Sequence, residues 1–146
     1  MAIAEIIKDN NMNNQDNQHN IGPTDQINWL SAMMSVDKDI HEKEFRVIME
    51  YGLKLGLNEE KIKRIVSTSL KGQDILMRYL KVSKLPRNDD LMRALIRVII
   101  ADGKIANEEL EMLRLVAGKM AFTSEELKAI FEEEKRDYIR RNSMGR

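Results

Sequence analysis

The chain repeats itself, and the repeat limits what it can fold into more than any other property. The stretch VDKDIHEKEFRVIMEYGLKLGLNEEKI, Val36–Ile62, aligns without a gap on ADGKIANEELEMLRLVAGKMAFTSEEL, Ala101–Leu127, sixty-five positions later. Asp37 falls on Asp102, Ile40 on Ile105, Glu44 on Glu109, Lys54 on Lys119 and Glu60 on Glu125. Most other positions keep their apolar or polar character. Self-similarity at a fixed offset means one structural unit used twice. The same repeat doubles an Asp and a Glu seven residues apart. That acidic pair is the pattern with the clearest chemical potential in the chain.

Apolar residues recur at helical spacing through both copies. Thr24 is placed to cap a first helix running to Ser35, with Ile27, Leu30 and Met33 or Met34 inward. A second helix is expected over His41–Leu55, with Phe45, Ile48, Met49, Gly52 and Leu55 on one face. Gly56 stops it, and Asn58 caps a third helix through Leu70. Lys71-Gly72 breaks the chain before a shorter helix at Asp74–Lys81. Val82–Asn88 contains Pro86 and is read as the linker between halves, because the residue before a proline disfavours helix. Asp89–Ile100 is apolar around so much of its circumference that it is expected at the buried centre. A helix at Asn107–Met120 follows. Thr123 and Glu126 then form a capping box, which opens a last helix to Tyr138 with Leu127, Ile130, Phe131 and Tyr138 inward.

No stretch reads as a strand. The expectation is an all-α fold, a bundle of about seven helices built from two pseudo-symmetric repeats, 24–70 and 89–138, within one domain at 23–140. Residues 1–22, rich in Asn and Gln, are expected to form a flexible polar arm. Residues 141–146 are expected to form a basic, fraying tail.

Composition narrows the chemistry. The chain has 146 residues, 33% of them charged and 42% hydrophobic, which suits a soluble helical protein with a single core. It has no cysteine, which excludes disulfides, thiolate zinc sites and cysteine nucleophiles. No signal peptide or membrane span is visible, so the cytoplasm is the expected location. The net charge of zero is segmented: residues 1–60 sum to −6, 61–97 to +7, 98–134 to −5 and 135–146 to +4. Such blocks bear on partners rather than on fold.

The acidic loops were weighed as cation sites. Asp102-Gly103-Lys104-Ile105 followed by Glu109 is similar to the second half of an EF-hand loop, but Val98 and Ile100 would occupy the first ligand positions and cannot ligate through their side chains. The equivalent slots of the first copy hold Met33 and Ser35. Each loop therefore offers two carboxylates where calcium takes six to eight oxygens. An ordinary structural role is available to each, since an Asp in a turn accepts backbone N–H groups and a Glu in a first helical turn is favoured by the helix dipole. Duplication adds a second possibility: Asp37, Glu44, Asp102 and Glu109 could converge around a divalent cation such as Ca2+. His41 is read as a helix start rather than a zinc ligand. Ser67, Thr68 and Ser69 have no histidine at a recognisable spacing, and there is no phosphate-binding glycine loop, so no catalytic residue is assigned.

At these residues the chain resembles a known family. The doubled pattern of loop Asp, apolar residue, first-turn Glu and following helix is similar to the TerB-like domain of bacterial tellurite-resistance and stress systems. The copy ADGKIANEELEML carries it best, while the first copy has Lys38-Asp39 in place of Gly103-Lys104. The related N-terminal domain of the DjlA co-chaperone has a similar pattern, but the chain has no His-Pro-Asp motif. The resemblance extends over Thr24–Tyr138. It implies a helical bundle with a shared acidic patch that binds a metal ion (calcium or another divalent cation) at Asp37, Glu44, Asp102 and Glu109, and a non-catalytic role as an interaction module with protein partners. Nucleic acid is not expected. The alternative is a metal-free adaptor that docks an acidic protein, anionic lipid or nucleic acid through the basic stretch 61–97.

Overall fold

The computed structural model describes residues 21–36 and 40–144. The expected arm up to Asn20 and the loop residues Asp37, Lys38 and Asp39 lie outside them. Among the described residues there are seven helices and no strand: α1 (Pro23–Ser35), α2 (Glu42–Lys54), α3 (Glu59–Lys71), α4 (Gln73–Val82), α5 (Asp89–Ile100), α6 (Asn107–Lys119) and α7 (Ser124–Met144). The all-α reading is correct. None of these helices is long and apolar enough to cross a membrane.

The boundaries recur at the offset read from sequence. Moving Glu42, Lys54 and Glu59 on by sixty-five positions gives 107, 119 and 124, the two ends of α6 and the start of α7. The stops recur too. At the end of α2, Leu57 N donates to Gly52 O, six residues closing on the last turn, with Gly56 at φ +92°. At the end of α6, Phe122 N donates to Ala117 O, with Ala121 at φ +62°. Both are Schellman turns, which need one residue in the left-handed region to satisfy the last carbonyls. Glycine occupies that position in the first copy and alanine in the second.

Two helices form the centre. In α5, Leu91, Met92, Ala94, Leu95, Ile96, Val98 and Ile99 are wholly buried, as its apolar circumference predicts. In α1 the buried set is wider than the expected Ile27, Leu30 and Met33 or Met34: it also takes in Gln26, Trp29, Ser31, Ala32 and Ser35. The polar residues concealed that role from sequence reading. Gln26 and Ser35 are met by hydrogen bonds there, whereas Ser31 Oγ is buried with no hydrogen-bond partner among the described residues. Gln26 Nε2 donates to Ile21 O at 2.9 Å, and Gln26 Oε1 accepts from the Tyr51 hydroxyl and from Asn88 Nδ2. Ser69 Oγ donates to Asn28 Oδ1 at 2.7 Å, and Gln73 Nε2 donates to Ser35 O at 2.7 Å. Burial, reinforced by the charge of Asp90, pushes the Tyr51 phenol up to about 12, so it remains a donor throughout the physiological range.

The outer helices pack on this pair. α1 contacts α2, α3, α4, α5 and α6, while α5 contacts α2, α6 and α7. α7 is held by charge as well as by Ile130. Glu134, only 1% exposed, receives Arg97 Nε at 2.7 Å and Arg93 Nη1 at 3.0 Å from consecutive turns of α5. The linker is fastened to the same helix. Arg87 lies 4.0 Å from the centroid of the Phe122 ring and donates to Glu126 Oε2 at 2.9 Å. The Glu126 carboxylate also accepts from Thr123 N at 2.9 Å, and the Glu126 N–H donates to Thr123 Oγ1 at 3.0 Å, the expected capping box. Hydrogen bonds from Arg87 and from the Thr123 backbone hold the Glu126 carboxyl down to about 2.

Two expectations about ends need correction. Gly22, not Thr24, is the N-cap of α1 and makes no side-chain cap bond. Pro23 at the first helical position starts the helix two residues early, since its ring presets φ and its missing N–H would have lacked a helical partner anyway. α7 also passes Tyr138 and continues to Met144, into the residues expected as a tail. No glycine or proline interrupts Tyr138–Met144, and the Arg140–Asp137 pair at 3.8 Å and the Arg141 Nε bond to Asp137 O at 3.3 Å support the added turns.

Two stability tests follow. Ala121→Gly should stabilise the fold by about 0.5–1 kcal/mol, because glycine removes a left-handed strain that exceeds its extra unfolded-state entropy. Gly56→Ala should cost a similar amount, since a Cβ there meets nothing within 4 Å and only backbone strain is added. Thermal melts should show opposite shifts of about 2–4 °C. Glu134→Gln should lose about 2–3 kcal/mol, less than the full cost of orphaning a buried charge because both arginines reach solvent. Burial raises the Glu134 carboxyl, but the hydrogen bonds and charges of Arg97 and Arg93 outweigh it and leave it below its ordinary value. A depressed folded value means the stabilisation is full above the unfolded carboxylate range and is lost as pH falls through the folded one. Urea titrations from neutral pH into acid should therefore show a steeper loss in the native chain than in Glu134→Gln.

Candidate functional site

The acidic pattern occupies the N-terminal turns of α2 and α6. Both helices begin after an extended residue, His41 at φ −117° and Ala106 at φ −88°. The third helical residue is a glutamate in each case. Glu44 Oε1 accepts from His41 N at 3.0 Å, and Glu109 Oε1 accepts from Ala106 N at 2.9 Å. These are matching halves of a capping box, in which the glutamate reaches back to a backbone N–H that the helix leaves unused. The reciprocal half differs. His41 Nδ1 accepts from Lys43 N at 3.1 Å, which makes this histidine a cap, in line with its sequence reading. Ala106 has no acceptor to offer.

Burial separates these two glutamates from ordinary capping residues. Glu44 is 1% and Glu109 2% exposed, whereas the side chain of the capping Glu126 is 41% exposed. Removing a carboxylate from water costs several kcal/mol unless its oxygens are compensated, and one backbone N–H is a small part of that. Each glutamate makes interactions beyond its cap.

Asp102 sits in a turn rather than in the core. Its Oδ1 accepts from Lys104 N at 2.9 Å, and Gly103, at φ +80°, donates its N–H to Ile100 O at 3.0 Å. Asp102 is half-buried. Val98 and Ile100, the first slots of the EF-hand comparison, lie inside α5 as buried helix residues, so this is a helix–turn–helix corner and not a twelve-residue calcium loop. Asp37 lies outside the described residues. Among the described residues no three His, Asp or Glu side chains form a group that could hold a metal ion. The donors of the acidic pattern are nonetheless all hard carboxylate oxygens, the class that suits calcium or magnesium rather than zinc.

An open, mainly apolar groove of about 630 Å³ adjoins the first acidic corner. Met34, Ile40, Phe45, Val66 and Leu70 line it, together with His41 and Ser67. Sequence spacing gave no reason to place Ser67 near a histidine, because one lies on α3 and the other before α2. No hydrogen bond joins them among the described residues, and the His41 Nδ1 lone pair is already committed to Lys43 N. The polar groups needed to activate a nucleophile are not assembled there.

The residues missed by sequence reading are the arginines and Glu134. Of the basic stretch 61–97, Lys63, Arg87, Arg93 and Arg97 are spent on ion pairs with Glu59, Asp89, Glu126, Glu133 and Glu134. Arg93 and Arg97 stand four apart on α5, and a carboxylate at their level on α7 was the only signal that could have revealed the pairing. The remaining cations of the stretch make no ion pair among the described residues.

Comparison with known proteins agrees with this architecture. The sequence model of the family described as "Tellurite resistance protein TerB" matches residues 24–132, from the first turn of α1 into α7. No curated protein and no solved structure matches the chain.

Proposed function

The chain belongs to the TerB family, and we propose that it is a non-catalytic module that binds a divalent cation at its acidic corners and uses that to regulate protein contacts in a bacterial stress or tellurite-resistance system. The observation that carries this reading is the pair of buried capping glutamates, Glu44 and Glu109, at equivalent positions of the two repeats. Each stands at the third position of a helix that follows a loop aspartate of the duplicated pattern, so each corner offers hard carboxylate oxygens of the kind a divalent cation recruits. Glu44 and Glu109 with Asp102 and Asp37 would supply carboxylate oxygens, and water would complete the shell of a calcium-sized ion. A bound ion would tie the starts of α2 and α6 to the loops that precede them. These helices both pack on the central pair, so the ion would stiffen the face from which partners are engaged. Such a module would act in the cytoplasm and make no covalent chemistry of its own.

The reading is tested by melting the protein with and without cation. About millimolar Ca2+ should raise Tm by several degrees, because a ligand of the native state stabilises it in proportion to its occupancy. Asp102→Asn combined with Glu109→Gln keeps both backbone acceptors while removing two charges, and it should abolish most of the shift. An unchanged Tm with Ca2+, Mg2+ and Mn2+ alike would remove the cation from the proposal.

A further inference from the structure

The helix α4 carries two apolar faces. Leu80 is buried and Leu76 and Met77 pack against the core, which accounts for one. The other consists of Ile75, Tyr79 and Val82, which are 72%, 54% and 83% exposed. Their spacing of four and three residues puts them on one stripe about 10 Å long. They are three of the seven large hydrophobic side chains exposed among the described residues, gathered on a ten-residue helix. Exposed apolar residues scattered singly need no explanation, but a continuous stripe does.

The charge around it is one-sided. Lys71, Arg78, Lys81 and Lys84 are all exposed on or next to α4, and Asp74 is the one acidic residue in the segment 71–84. None of these four cations makes an ion pair among the described residues, whereas Lys63, Arg87, Arg93 and Arg97 do. The end of the helix is also closed. Tyr79 O accepts from Ser83, and Lys119 Nζ donates to Lys81 O at 2.9 Å and to Ser83 O at 2.6 Å. These terminal carbonyls, normally left to water, need no solvent when the surface is covered.

We propose that α4 is a peripheral docking face for an anionic lipid bilayer, with Ile75, Tyr79 and Val82 entering the headgroup region and Lys71, Arg78, Lys81 and Lys84 meeting lipid phosphates. A second copy of the chain does not fit, because two such faces would bring like charges together. Nucleic acid would satisfy the cations but leave Ile75 and Val82 without an apolar partner. A bilayer interface supplies both: apolar depth for the stripe, negative charge for cations on long stems that can reach outward, and a level at which the Tyr79 hydroxyl stays wet. This face is independent of the acidic corners and of any cation held there.

The test is sedimentation of the full chain with vesicles of phosphatidylcholine alone and with about one third phosphatidylglycerol. Binding should appear only with the anionic vesicles. Arg78→Glu with Lys81→Glu should weaken it by more than about tenfold, since each charge near such a surface matters by roughly that order. Ile75→Ser with Val82→Ser should release the protein at salt concentrations that the native chain withstands. All four side chains are exposed, so melting temperatures should not change. A Tyr79→Trp reporter, read against the buried Trp29, should shift to the blue on anionic vesicles only. No binding to either vesicle, or no blue shift on binding, would overturn the proposal. So would binding to soluble polyglutamate of equal strength that ignores Ile75 and Val82, which would identify an acidic protein as the partner. Loss of binding on deleting residues 1–20, with the α4 variants unaffected, would assign it to the N-terminal segment instead.

Discussion

The structure depends on two helices that bury each other. α1 and α5 cross at the centre and leave little of either exposed, so every other helix is positioned by the surface these two present. Their chemistry differs. α5 is an almost uninterrupted run of Leu, Met, Ile and Val, and hydrophobic burial alone accounts for its place. α1 takes polar groups into the core, and most of them are met by a specific neighbour, Ser31 being the exception. Tyr51 of α2, Ser69 of α3, Gln73 of α4 and Asn88 at the start of α5 meet them. Apolar contact could tolerate sliding; a hydrogen bond left unmade in the core would not. The polar residues of α1 therefore set the register of the elements around it.

Charge is used in three ways on this frame. Glu134 and the two arginines of α5 form an internal clamp that holds α7 to the centre. Glu44 and Glu109 sit buried at helix starts, where the proposed cation would bind. The four cations on or next to α4, which make no ion pair among the described residues, are exposed near an apolar stripe. Formal charge by segment cannot separate these roles, since the basic stretch 61–97 contains both clamp and surface. Its arginines near α5 are committed to structure, while the cations at the α4 end make no ion pair among the described residues.

Much of the fold was legible because its signals are local. Asn58 and Thr123 cap helices where the sequence places them, Gly56 and Gly72 end helices, and the apolar circumference of α5 predicts its burial. These effects act within one turn of chain. The departures arose where local signals compete or are missing. Thr24 is a good cap, but Pro23 starts the helix before it. Arg140 and Arg141 look like a tail, yet nothing in Tyr138–Met144 breaks a helix. The buried role of α1 could not be read because Gln26, Ser31 and Ser35 interrupt its apolar pattern, and the partners of Gln26 and Ser35 lie far along the chain.

The sequence by itself determined the helices, most of their caps and an offset of sixty-five at which helix boundaries and the turns at Gly56 and Ala121 recur. Family membership follows from the same information, since it rests on a linear pattern from residue 24 to 132. Only the tertiary structure decided which charges are spent and which remain. Glu44 and Glu109 look like surface caps until packing buries them, and Arg93 looks like Arg78 until α7 brings Glu134 beside it. The physical reason is distance: a cap or a turn is settled by neighbours three or four residues away, whereas solvation of a charge depends on whatever the fold places against it.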